Sequence, residues 1–186
     1  MASSAAEQAH VLAGHAQHLI ATAARAPSVH NSQPWRFRID GDAVELWTDP
    51  RRRTWSDASG REMVISCGAA LSGLRLAVRS LGFEPVVDLL PDPARLRLLA
   101  RVRIGRAVPV NALEARMLAT VPHRHTHRGP FEPGALPRGV LPGLQNDAFV
   151  EGVQLAYPAR PGLRAAGTPS PASSSRASSV SRDTRS

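Results

Sequence analysis

The chain has 186 residues, 42% of them hydrophobic and only 4% aromatic. That length suits one domain or slightly more, with a core packed mainly from aliphatics and alanine. The net charge of +8 admits nucleic acid as a partner, but all 23 basic residues are arginine. This bias follows GC-rich coding, and neither a basic helix face nor an aromatic–arginine platform is legible, so nucleic acid is not expected.

No stretch approaches the ~20 consecutive apolar residues of a membrane span, so no membrane association is expected. Met1 to Gln8 lacks the basic start and apolar run of a secretory signal. The single cysteine, Cys67, has no partner for an internal disulfide, which agrees with a reducing compartment. A cytoplasmic protein is expected.

In chain order, Glu7 to Ala24 predicts a helix, with Val11, Leu12, His15, Leu19 and Ala23 on or near one face. Trp35 to Ile39 alternates apolar and polar, Asp40-Gly41-Asp42 signals a turn, and Ala43 to Thr48 alternates again. Together they predict a β-hairpin. Asp49-Pro50-Arg51-Arg52-Arg53 reads as a loop whose arginine run could face phosphate, although a charge run is more often just solvated. Arg61 to Leu81 predicts a long helix, with Val64, Cys67, Leu71, Leu74, Val78 and Leu81 on its apolar stripe and Gly82 just past its end. On that stripe Cys67 reads as packing, not as a nucleophile. Pro85 to Leu90 and Leu98 to Ile104 predict two strands. Val110 to Val121 predicts a helix with Leu113, Met117, Leu118 and Val121 facing inward. Leu136 to Phe149 predicts a short helix, and Val153 to Tyr157 a strand. From Gly162 to Ser186 the chain is Ala, Ser, Arg, Pro and Thr, with almost nothing to bury, and disorder is expected.

Two stretches carry chemistry. The first is Ala26-Pro27-Ser28-Val29-His30-Asn31-Ser32-Gln33-Pro34-Trp35. Each proline fixes its own φ and pushes the preceding residue out of the helical region, so a rigid corner joins helix to strand. Ser28, Asn31 and Gln33 put small polar groups on that corner, suited to a planar polar ligand. The alternative is an ordinary capped turn. The second stretch is His123-Arg124-His125-Thr126-His127-Arg128-Gly129-Pro130-Phe131. Guanidinium groups with a hydroxyl and imidazoles suit a phosphate. His123, His125 and His127 alternate as zinc-binding pairs can, but Arg124 and Arg128 would repel a cation; no metal site is expected. An inert exposed loop is the third reading.

The first stretch resembles the flavin corner of the nitroreductase family, A-P-S-x-x-N-x-Q-P-W. The second resembles that family's Arg-[Arg/His]-[Ser/Thr]-x-[Arg/Lys] motif, with Phe131 one residue later than in the simplest members. The resemblance covers about residues 8 to 157 and implies FMN as cofactor. Pro27, Ser28, Val29 and Asn31 would lie against the isoalloxazine, Val29 through its backbone alone. Arg124, His125, Thr126 and Arg128 would grip the phosphate and ribityl chain. It implies an α+β nitroreductase-like fold, with a mixed or antiparallel sheet packed by helices and an incomplete C-terminal half. NAD(P)H would be the reductant and a small molecule, nitroaromatic or quinone, the electron acceptor. No catalytic acid or base is implied.

Corner before phosphate motif is the reverse of the order in ordinary nitroreductases. It resembles the Acg-like branch, in which two nitroreductase-like halves are fused. On that reading residues 7–121 are the first half, 122–158 begin the second, and 159–186 are a tail, expected to arise where the reading frame breaks near residue 160. An apolar face left uncovered would favour a homodimer. A non-enzymatic flavin-sequestering protein and an inactive remnant are the alternatives.

Overall fold

A computed structural model describes residues 5–131 and 134–157. They fall into two compact units divided between Gly129 and Pro130. The expected disordered tail lies outside the described residues.

The first unit opens with α1 (Ala5–Ala23). The hairpin forms as its turn residues require: β1 (Trp35–Asp40) and β2 (Ala43–Thr48) pair antiparallel, with Asp40 opposite Ala43. Gly41, at φ 59°, takes the left-handed conformation that a two-residue turn needs. Helix α2 (Arg61–Ser80) follows. The Asp57 carboxylate caps it, accepting from the backbone N–H of Glu62 at 3.2 Å and of Met63 at 2.9 Å. Gly82, at φ 81°, lies just beyond its end, as expected.

β3 (Phe83–Leu89) and β4 (Leu98–Ala107) complete a four-stranded antiparallel sheet in the order β1-β2-β4-β3. Pro85, which cannot donate to a ladder, sits on the edge strand β3. Gly105 faces it closely: a Cβ there would stand 2.9 Å from the Glu84 carbonyl oxygen and from Val86 Cγ2.

The two faces of the sheet differ. One is apolar and is covered by α1 and α2. Leu12, Leu19 and Ala23 meet Leu74, Ala77 and Val78 over Val44, Val102 and Ile104, all at most 2% exposed. Each buried Leu or Val contributes roughly 1.5–3 kcal/mol. The other face is charged. Arg38, Glu45, Arg101 and Asp88 are register partners in turn across all four strands, an alternating row. Glu45 is fully buried and accepts from Arg101 Nε at 3.0 Å and Trp47 Nε1 at 2.9 Å. Arg101 also reaches Asp40 at 2.7 Å.

α3 (Ala112–Thr120) starts with a capping box between Asn111 and Glu114. Its stripe differs from expectation: Leu113 and Met117 are 55% and 48% exposed. Met117 borders an open cleft instead of the core. On α2, Val64 is likewise exposed. By length and composition α2 is the one described helix able to cross a membrane. Here it packs in the core, with Cys67, Ala70, Leu74, Ala77 and Val78 buried.

In the second unit α4 (Val140–Val150) begins later than the expected Leu136. Gly139, at φ 87°, turns the chain into it after Pro137. Val153 to Tyr157 is not a strand; it has no ladder partner among the described residues. Instead it runs back along α4: Val153 N donates to the Ala148 carbonyl at 2.9 Å, and Gln145 Nε2 to that of Leu155 at 3.4 Å.

Candidate functional site

The corner after α1 is tighter than its prolines alone require. Ser28 is extended, Val29 to Asn31 make one 3-10 turn, and His30, Asn31 and Gln33 all take positive φ, 52°, 55° and 47°. Non-glycine residues seldom adopt this conformation, and three within four residues store strain of about 1–3 kcal/mol each. Specific ties hold it. Ser28 Oγ accepts from Gln33 N at 2.9 Å, and the Asn31 side-chain oxygen accepts from Gln33 Nε2 at 3.4 Å. The Pro34 carbonyl accepts from Asp49 N at 2.8 Å and from Cys67 Sγ at 3.5 Å.

Asp49 locks the corner to the hairpin. It accepts from Arg36 Nε at 2.8 Å and Arg51 N at 3.2 Å. Burial alone would raise its carboxyl, but the hydrogen bonds and charges of Arg36 and Arg51 hold it below the usual carboxylate value. Burial pushes the Cys67 thiol up to about 12. The thiol is therefore protonated and inert, as its place on the apolar stripe suggested.

Beside the corner lies a cleft of about 390 Å³ between the end of α1, the middle of α2 and α3. Its walls are apolar (Ala26, Pro27, Leu76, Met117) and its floor is small, Ala69 and Gly73. Gly73 permits the close approach of the helices, since a Cβ would come 3.1 Å from Ala23 Cα. Three arginines line it as well: Arg25, Arg116 and Arg124. Arg124 Nε donates to the Arg25 carbonyl at 2.9 Å, tying the basic loop to the start of the corner.

The two stretches singled out in the sequence thus meet at Pro27 and Arg124. The others lie outside this lining. Ser28 is half-buried and Asn31 exposed, both bonded within the corner. Val29 lies in a gap too narrow for water beside Pro34, Met63 and Ser66. His125, Thr126 and Arg128 are exposed, with His125 Nδ1 3.1 Å from the His123 carbonyl oxygen. Among the described residues no set of three His, Cys, Asp or Glu could hold a metal ion. Sequence reading missed Arg25, Arg116, Thr120 and Ser72. Helical spacing puts Arg116, Met117 and Thr120 on one face of α3 and Ala69, Ser72, Gly73 and Leu76 on one of α2, but no local motif marks either face as a site, and Arg25 carries no such signal.

No family model matches the chain. It is 36% identical over 138 residues to Rv3131 of Mycobacterium tuberculosis strain H37Rv, whose provisional name is NAD(P)H nitroreductase. That match covers 74% of this chain and 40% of the relative. Acg of the same organism, provisionally named in the same way, is 36% identical over 110 residues, 59% of this chain and 33% of Acg. Among solved structures, a provisionally named nitroreductase in complex with FMN from Desulfovibrio desulfuricans aligns with a TM-score of 0.40 at 19% identity. It covers 66% of this chain and 86% of that one. The chain spans 40% or less of the length of these two curated relatives. Over that span its sequence is similar to these relatives named as nitroreductases, Acg among them.

Proposed function

We propose that this chain supplies a flavin-binding half-site of an FMN-dependent NAD(P)H oxidoreductase, acting on nitroaromatics or quinones. The observation that carries the reading is the cleft that joins Pro27 to Arg124. Its chemistry fits FMN: apolar walls and a small-residue floor for a flat ring, and guanidinium groups for a phosphate. Ala26, Pro27, Leu76 and Met117 would flank the ring. Arg124, with Arg25 and Arg116, would hold the phosphate. Ser28 and Asn31 would act from behind, by holding the strained corner that presents Pro27. His125, Thr126 and Arg128 would add contacts from the exposed loop. FMN, when bound, supplies hydride and electron transfer between reduced nicotinamide and the acceptor. The chain's own part is to bind, orient and exclude water.

The test is anaerobic mixing of the FMN-loaded chain with NADH or NADPH while flavin absorbance is followed. Bleaching faster than that of free FMN supports the reading, and no acceleration by either reductant counts against it. The second reading is flavin binding without turnover. Saturable FMN binding without reduction would select it. We place the protein in the cytoplasm and propose a homodimer through the exposed Val64, Ile65, Leu113 and Met117; light scattering that reports a monomer would refute the dimer.

A further inference from the structure

Away from α1 and α2, the charged face of the sheet holds a second cavity, of about 660 Å³. It lies where the hairpin ends. Arg36, Arg38, Arg51 and Arg97 line it around Trp47, and Asp49 is the only acid in the lining. Sequence reading found no aromatic–arginine platform because these residues are scattered along the chain. The β1–β2 register and the Thr48 N to Arg97 carbonyl bond, 2.9 Å, bring them together.

The groups are not equivalent. Arg36 is spent on Asp49 at 2.8 Å, and Arg38 lies 3.6 Å from Asp40. Arg51 and Arg97 have no side-chain hydrogen bond or ion pair among the described residues; Arg51 acts on Asp49 only at longer range. Two guanidinium groups are therefore free for an anion. Trp47 is pinned, because its Nε1–H donates to the fully buried Glu45, which Arg101 also holds. With that N–H engaged, the indole offers a visitor only its ring surface. A fixed aromatic surface beside uncommitted guanidinium groups suits a ligand that is both aromatic and polyanionic. Farther along the same face Asp40, Glu45 and Asp88 interrupt the positive charge. On that side the basic patch is bounded; on the other, Arg51 also lines a more open hollow with Arg52, Arg53 and Trp55, and the oligonucleotide comparison below distinguishes a small ligand from a polymer.

We propose that this cavity binds a nucleoside polyphosphate, with the base against Trp47 and the phosphates on Arg51 and Arg97. The site is separate from the flavin cleft and does not depend on it.

Calorimetric titration of the full chain with ADP at low salt tests the proposal, with adenosine, pyrophosphate and a single-stranded oligonucleotide as comparisons. The expected result is saturable binding of one ADP per chain, tighter than either fragment. It should weaken about tenfold or more in Arg51→Ala/Arg97→Ala, as loss of charge-assisted bonds implies. It should persist in Arg124→Ala and in the presence of FMN. Both arginines are exposed, and an unchanged far-UV spectrum checks that the variant folds; the single Arg97→Gln serves if it does not. No binding of ADP overturns the proposal, as does binding unaffected by the arginine substitutions. Displacement of ADP by FMN places it in the flavin cleft and also overturns the proposal. Pyrophosphate binding as tight as ADP removes the aromatic half, and tighter binding of the oligonucleotide replaces the proposal with a nucleic-acid surface.

Discussion

Removing Arg79 should loosen α3 and with it one wall of the candidate cleft. All five N–H donors of this guanidinium are used. Nε and Nη2 donate to the two carboxylate oxygens of Glu114 at 2.7 and 2.9 Å. Nη1 donates to the carbonyls of Phe83 and Val108, both at 2.9 Å, and Nη2 also to that of Pro109 at 2.7 Å. The side chains of Arg79 and Glu114 are only 11% and 20% exposed. Arg79 therefore joins the end of α2 to the start of β3, the segment after β4 and the first turn of α3. Breaking a buried pair costs about 3–5 kcal/mol, and the exposed Pro109 bond recovers water, so about 3 kcal/mol is expected for Arg79→Ala at neutral pH. Chemical unfolding followed by far-UV circular dichroism measures it.

The loss should depend on pH. The Arg79 hydrogen bond, with the Asn111 N–H, holds Glu114 below its ordinary value of 4.5. A carboxylate depressed in the folded state stabilises above its unfolded value, and that contribution fades as pH falls through the folded value. The gap between wild type and Arg79→Ala should thus narrow in acid by the Glu114 share, while the part due to the three carbonyl bonds persists. A loss under about 1 kcal/mol at neutral pH, or one that stays constant into acid, would refute this account of α3.

Glu45→Ala should cost about 2–3 kcal/mol by denaturant unfolding, because Trp47 Nε1 loses its acceptor while Arg101 keeps Asp40. Gly105→Val should cost about 1–3 kcal/mol in the same assay, since its Cβ meets the Glu84 carbonyl of the edge strand at 2.9 Å. Cys67 should resist a thiol reagent until the chain unfolds, its thiol being buried and protonated; rapid labelling of the native protein would contradict that. His30→Val should lower the melting temperature, because a β-branched residue tolerates φ 52° worse than histidine does.

The parts of the fold legible in the sequence are those fixed by local chemistry. Asp40-Gly41-Asp42 marked the hairpin, Gly82 marked the end of α2, and the Leu12–Leu19 and Cys67–Val78 stripes marked the faces that pack. What failed needed a partner. Val153 to Tyr157 has strand-like residues but no ladder, and Leu113 and Met117 form an apolar stripe with no core to face. The left-handed conformations of His30, Asn31 and Gln33 were invisible because they depend on ties to Ser28 Oγ and, through Pro34, to Asp49 N. In the candidate site, Arg124 was legible as a cation, but its bond to the Arg25 carbonyl joins residues 99 apart. Arg116 and Ser72 carry no local motif; only the packing of α2 and α3 gives them a common cleft.

The central claim is that Pro27 and Arg124 meet in a cleft that binds flavin, and fluorescence-quenching titration of FMN into the full chain tests it most directly. The account requires saturable quenching by wild type, weakened about tenfold by Arg124→Ala through loss of a charge-assisted phosphate contact. Ser72→Trp, which fills the cleft from the exposed side of α2, should abolish it. A folded chain that does not quench FMN, or variants that bind it as wild type does, would contradict the claim.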